Sequence, residues 1–212
     1  VSKKGNFEGH NILERKVSLK ELVEKFSLSE SEIQSRINTS KAKMMKVRDG
    51  RVRPGLDDKT LTSWNGLMII GLVDAFFALE DESYLQRALQ AGSFIQTNQI
   101  QSSGQILRNY KKGQSTISGF LDDYAFTILA FSKLYEATFD ESWLTEANKL
   151  KEYVNTHFSD EKTQMYFYTS DQDEKLIARK MELTDNVIPA SNSAMAEALY
   201  LLGQFYYNQD DL

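Results

Sequence analysis

Three clusters of polar side chains stand just ahead of long apolar runs, and their types suit acid–base or hydroxyl-binding chemistry. Asp57, Asp58, Lys59, Trp64 and Asn65 fall within RPGLDDKTLTSWNGL (residues 53–67), Asp122, Asp123 and Tyr124 within FLDDY, and Asp185, Asn186, Ser191, Asn192 and Ser193 within TDNVIPASNS. Carboxylates gathered in a half-buried cavity suit proton transfer, because burial and mutual repulsion separate their pKa values. Two carboxylates flanking a glycosidic bond are the usual hydrolase apparatus. Asp57, Asp58, Asp122 and Asp123 are therefore the catalytic candidates. Trp64 and Tyr124 offer flat faces to a sugar ring, and Asn65 and Asn192 offer amides to its hydroxyls. Lys59, an ion-pair partner for a neighbouring aspartate, and Asp185 complete the binding set.

The same residue types also start helices. Asp, Asn, Ser and Thr accept hydrogen bonds from the first backbone donors, and carboxylates there interact favourably with the helix dipole. Thr62, Ser63, Ser191 and Ser193 read as caps, the doublets Asp57–Asp58 and Asp122–Asp123 as caps or as site residues, and Trp64 as core or platform. His157, near the end of an amphipathic run, and His10, with no partner in sequence, are not expected to catalyse. With two histidines and no cysteine, neither a metal site nor a cofactor is expected, and thiol redox chemistry is excluded for this chain.

An internal repeat positions the clusters. Residues 67–79 (LMIIGLVDAFFAL) read as a helix buried all round, and the run from Asp81 (DESYLQRALQAGSFIQTNQ) as an amphipathic cover. The pair returns at residues 120–138 and from Asp140, with DESYLQRA and DESWLTEA aligned at an offset of 59 residues. A third apolar run covers residues 193–207. Upstream, Ser18 with Glu21 and Ser29 with Glu32 are capping boxes that open two helices. Residues 104–110 form one candidate strand, and residues 165–169 with 175–179 a candidate hairpin. Alternating inner and outer helices imply a mainly all-α, partial α/α toroid with short β-hairpin insertions, read as one domain over residues 1–212. Its parts are a leading segment and two helices (1–52), a first hairpin (53–100), a second (119–158) and the first helix of a third (190–212). Parallel inner helices would bring all three clusters to one mouth. A helical solenoid with a concave binding face is the competing architecture.

Composition narrows the function classes. An apolar fraction of 41% and a charged fraction of 26% are those of a globular protein, and two prolines suit long helices. A net charge of -5 gives no footprint for nucleic acid. No run of uncharged apolar residues reaches the length of a membrane span, and the first residues, VSKKGNFEGHN, lack the apolar stretch of a leader. The lack of cysteine suits a reducing, cytoplasmic compartment. The basic stretch at residues 41–53 reads as a solvated face or as ion pairs.

RPGLDDKTLTSWNGL, GFLDDYAFTILAFSKLYEATFDESWL, LTDNVIPASNS and NFEGHNIL together resemble the spermatogenesis-associated protein 20 family, which includes the bacterial YyaL-like proteins. The resemblance implies a longer protein with a thioredoxin-like domain upstream. It also implies a six-hairpin glycosidase-like toroid similar to N-acylglucosamine 2-epimerases, of which this chain is a piece, and it brings no mechanism. Two departures stand out. Epimerases of this fold move protons with histidines, yet His157 lies outside the shared motifs and His10 falls only in NFEGHNIL, away from the three polar clusters, and Ala190 replaces a serine of the Pro-Ser-small-Asn-Ser pattern. Two functions follow as expectations: a domain that binds or processes a sugar or sugar-like small molecule, or a non-catalytic scaffold serving the thioredoxin-like domain. Neither nucleic acid nor membrane is an expected partner.

Overall fold

Two serines set where the chain first becomes helical. Ser18 Oγ accepts from the Glu21 N–H at 3.2 Å, and the Glu21 carboxylate accepts from the Ser18 N–H at 3.3 Å. Ser29 and Glu32 repeat the exchange at 3.3 and 2.9 Å. Helices α1 (Leu19–Phe26) and α2 (Glu30–Asp49) therefore begin where their capping boxes place them. The computed structural model describes residues 3–174 and 177–207, in two compact units divided between Asp57 and Asp58. In the first unit α1 packs on α2, with Ile33 buried.

The second unit runs β1 (Thr60–Leu61), α3 (Thr62–Leu79), α4 (Glu82–Asn98), β2 (Asn109–Tyr110), α5 (Leu121–Thr138), α6 (Glu141–His157), β3 (Ser159–Asp160), β4 (Met165–Tyr166) and α7 (Ser191–Tyr206). The inner helices α3, α5 and α7 lie side by side with α5 in the middle, while α4 covers α3 and α6 covers α5. The sequence repeat is a repeat of hydrogen bonds. Asp81 caps α4 by accepting from the Ser83 N–H at 2.9 Å, and Asp140 caps α6 by accepting from the Ser142 N–H at 3.0 Å. Each inner helix ends on a left-handed residue just before that aspartate, Glu80 (φ 53°) and Phe139 (φ 57°), so both hairpins turn in the same way.

Only α5 is enclosed on all sides; the expectation that all three inner helices would be holds for it alone. Trp64, Met68 and Phe77 of α3 and Tyr200 of α7 are exposed. The reason is position: within this unit α5 has two inner neighbours, whereas α3 and α7 have one each. Residues 62–79 have the length and mean hydropathy (1.4) of a membrane span, yet Ile69 and Val73 of that helix are core residues packed with α5. Contact between α3 and α5 is backbone-close at Gly66, where a Cβ would stand 2.8 Å from the Phe126 carbonyl oxygen.

The strands differ from expectation in their partners. The segment at residues 104–110 contributes β2, which pairs antiparallel with β1 (Thr60↔Tyr110, Leu61↔Asn109). β4 pairs with β3 (Ser159↔Tyr166, Asp160↔Met165), a hairpin that the chain enters directly from the end of α6, whereas the expected partner was residues 175–179. Lys175 and Leu176 lie outside the described residues, and the stretch beyond them joins through one Tyr168 N–H to Lys180 carbonyl bond of 2.7 Å.

Candidate functional site

A loop segment from each helix connection is wedged between the first turns of neighbouring inner helices, and this gathers the polar clusters. Between α3 and α5, the Thr62 N–H donates to the Arg108 carbonyl at 2.9 Å, and Thr62 Oγ1 donates to the Leu107 carbonyl at 2.6 Å. Between α5 and α7, the Leu121 N–H donates to the Tyr168 carbonyl at 3.0 Å, and Asn192 exchanges two 2.9 Å bonds with the backbone of Tyr166. Arg108 and Tyr168 thus hold equivalent places in the repeat, 60 residues apart.

Asp123 is the joint of this arrangement. It is fully buried, and its carboxylate accepts from the Ser63 N–H (2.9 Å) of α3, the Phe120 N–H (3.0 Å) at the head of α5, and Arg108 Nη1 (2.8 Å). One side chain closes the first turns of two helices. The expected serine caps are absent, whereas the cap reading of Asp123 holds through its bond from Phe120: no N-cap side chain of α3, α5 or α7 makes a capping bond, and Ser63 Oγ and Ser191 Oγ are buried without a partner. Carboxylates reach in from elsewhere instead. For α7, Asp185 accepts from the Ala190 N–H at 2.8 Å and Glu182 accepts from the Ser191 N–H at 3.0 Å. The Asp185 carboxyl lies below its ordinary range through these bonds from Ala190 and Ser193.

Asp122 shares Arg108 at 3.1 Å and keeps a slight exposure of 6%. One guanidinium therefore serves two carboxylates. Burial first, then the charge of Asp122, pushes the Asp123 carboxyl up to about 6 against the pull of Arg108. Burial and Asp122 also raise the Tyr168 hydroxyl, which stays protonated and hydrogen-bonds Asp122. Phe120 completes the cluster, with the Arg108 guanidinium 4.8 Å from its ring centre and the Tyr168 ring 5.0 Å away. Phe120 also lines an open cleft of about 570 Å³ with Ile117, Ser118, Thr169, Gln172, Asp173 and Glu174.

The other candidates fall into different surroundings. Asp57 closes the first unit and is exposed. Asp58 pairs with Lys111 Nζ at 2.5 Å beside the β1–β2 sheet, and that hydrogen bond lowers its pKa; Lys59 beside it is exposed. Trp64 is 59% exposed on the first turn of α3 and so is not a core residue of this unit. Asn65 donates to the Leu61 carbonyl at 2.7 Å. Tyr124 is a core residue: its ring stacks on Tyr153 at 5.5 Å, and its hydroxyl accepts from the Ile106 N–H at 3.0 Å. Sequence reasoning missed Arg108 and Tyr168: their spacing of 60 residues departs by one from the 59-residue helix repeat, so that offset pairs Arg108 with Phe167 instead.

No family model matches the chain. Among curated proteins it is 29% identical to human spermatogenesis-associated protein 20 over 98% of its own length, and 30% identical to the mouse protein over 97%. It spans only 28% and 27% of those relatives. Among solved structures it is similar to cellobiose 2-epimerase from Bacillus thermoamylovorans (TM-score 0.60, 18% identity, 72% of this chain, 41% of that one). It is also similar to a GH76 α-mannanase from Bacteroides thetaiotaomicron (0.58, 20%, 76% and 42%) and to a D-mannose isomerase (0.59, 17%, 72% and 38%). The fold is therefore that of the six-hairpin glycosidase-like toroids, and the chain is similar over nearly its whole length to one segment of the spermatogenesis-associated protein 20 proteins.

Proposed function

We propose that the first turns of the inner helices hold a sugar or sugar-like small molecule, with Asp122 as the carboxylate that meets it. The observation that carries this is the division of roles within the doublet. Both carboxylates share Arg108, but Asp123 is enclosed and caps two helices, whereas Asp122 keeps an exposed edge two residues from the cleft-lining Phe120. Asp122 then accepts from ligand hydroxyls. Asp123, which holds a proton up to about pH 6, sets the charge that Asp122 shares with Arg108. Trp64 supplies an exposed aromatic face on the neighbouring helix. The likeness in fold to enzymes named for cellobiose, mannan and mannose supports the ligand class by analogy.

A scaffold role, in which the toroid serves an attached thioredoxin-like domain, has its own observation. Asp58, Asp123 and Tyr124 are each engaged in the fold itself. A thermal-shift screen of the full-length protein against neutral sugars, amino sugars and sugar acids separates the readings. The site reading expects a stabilising sugar whose effect is lost in Asp122→Asn and Trp64→Ala; no stabilisation by any sugar favours the scaffold.

A further inference from the structure

The segment at residues 169–174 supplies Thr169, Gln172, Asp173 and Glu174 to the cleft beside Phe120. Its ties run to the last turn of α6. Asp171 Oδ1 lies 2.8 Å from His157 Nδ1, and the Asp171 N–H donates to the His157 carbonyl at 2.9 Å. Arg179 donates to the same carbonyl through Nη2 at 3.1 Å, and to the Thr169 carbonyl through Nε at 3.1 Å. Inside the segment, Gln172 Nε2 donates to Asp171 Oδ1 at 3.0 Å, and the Ser170 N–H donates to Asp173 Oδ2 at 3.1 Å. One histidine therefore receives the cleft-lining segment at both its side chain and its carbonyl.

We propose that His157 and Asp171 form a pH-sensitive latch that sets how firmly residues 169–174, and hence the wall of the cleft, are held. An imidazole gains a charge between pH 8 and pH 5. In the neutral ring Nδ1–H donates a plain hydrogen bond to the carboxylate; after protonation the same contact is an ion pair. His157 occupies the C-terminal turn of α6, where the helix dipole attracts a cation. Among the described residues, the charged and titratable groups that contact it are Asp171, Arg179 held on its carbonyl, and Tyr153, whose ring is 4.4 Å away and which also feels Asp173. Asp171 is available as an anion: partial burial works against its charge, and hydrogen bonds from Gln172 and His157 outweigh that and lower its pKa. The latch is thus tightest where the ring is protonated and Asp171 is ionised. Its regulatory meaning rests on the ligand reading above; the latch itself does not.

Amide hydrogen exchange without ligand tests it, at pH 5.5 and pH 8.0 with intrinsic rates corrected, in the wild type, His157→Gln and Asp171→Asn. The Asp171 amide should be roughly two- to fivefold better protected at the lower pH, the range for a partly exposed ion pair. That difference should vanish in both variants, and the Phe131 amide of the core serves as the reference for global stability. Equal protection at the two pH values, or a difference that survives in Asp171→Asn, overturns the latch. Since no sugar enters the measurement, failure of the ligand reading and failure of the latch are distinguishable.

Discussion

Replacing Asp123 by alanine removes the side chain that closes the first turns of both α3 and α5. The Ser63 and Phe120 amides lose their acceptor, while Arg108 Nη1 loses one of its two carboxylates and keeps Asp122 at 3.1 Å. An orphaned buried donor costs about 1–3 kcal/mol, so the two amides together cost roughly 2–6 kcal/mol, less whatever water entering the space recovers. The carboxyl itself carries an opposing term, because burial lifts it from 3.8 to about 6. A carboxyl raised in the folded state contributes stability that is fully present below its unfolded pKa and is lost as pH rises through the folded one. That loss totals roughly 3 kcal/mol, and alanine does not suffer it. Asp123→Ala should therefore cost more at pH 5 than at pH 7.5, by about 1 kcal/mol. Urea unfolding of both proteins at the two pH values measures this. No cost at pH 5, where about half of the ionisation penalty is relieved, would refute the double cap. A larger cost at pH 7.5 would show that the two helix ends and Arg108 hold Asp123 ionised, and that burial does not dominate.

Other consequences follow from single contacts. Tyr124→Phe strands the buried Ile106 N–H and should lower stability by about 1–2 kcal/mol in chemical denaturation. Gly66→Ala places a methyl against the Phe126 carbonyl, and should cost roughly 1–3 kcal/mol and lower the melting temperature by forcing α3 off α5. Asp81→Ala and Asp140→Ala each remove an N-cap worth about 1 kcal/mol, and the double variant should lose the sum because the two caps are on different helices and share no partner.

What was legible in the sequence was local or repeated. The Ser18 and Ser29 boxes depend on residues three apart, and the two Asp-Glu-Ser starts are alike in sequence and alike in their hydrogen bonds. The alternation of inner and outer helices followed from the same repeat. What stayed hidden was long-range. Asp123 reaches an amide 60 residues back in the chain, so the serines beside it were assigned a capping role that a distant carboxylate fills. Tyr124 follows an aspartate doublet and reads as a platform, but at that register on α5 its ring meets Tyr153 and Phe158 of the outer layer. The burial of α3 was overstated for a related reason: apolar composition shows that a helix is to be covered, not which neighbour within this unit covers it.

The site reading is most directly tested by titration calorimetry of the full-length protein with the sugar that stabilises it, beside Asp122→Asn and Trp64→Ala. Each substitution should weaken binding about tenfold, the worth of one charge-assisted hydrogen bond or one stacked ring, with the melting temperature of the free protein kept. Unchanged affinity in Asp122→Asn would contradict the account and leave the carboxylates at the helix mouths to the fold alone.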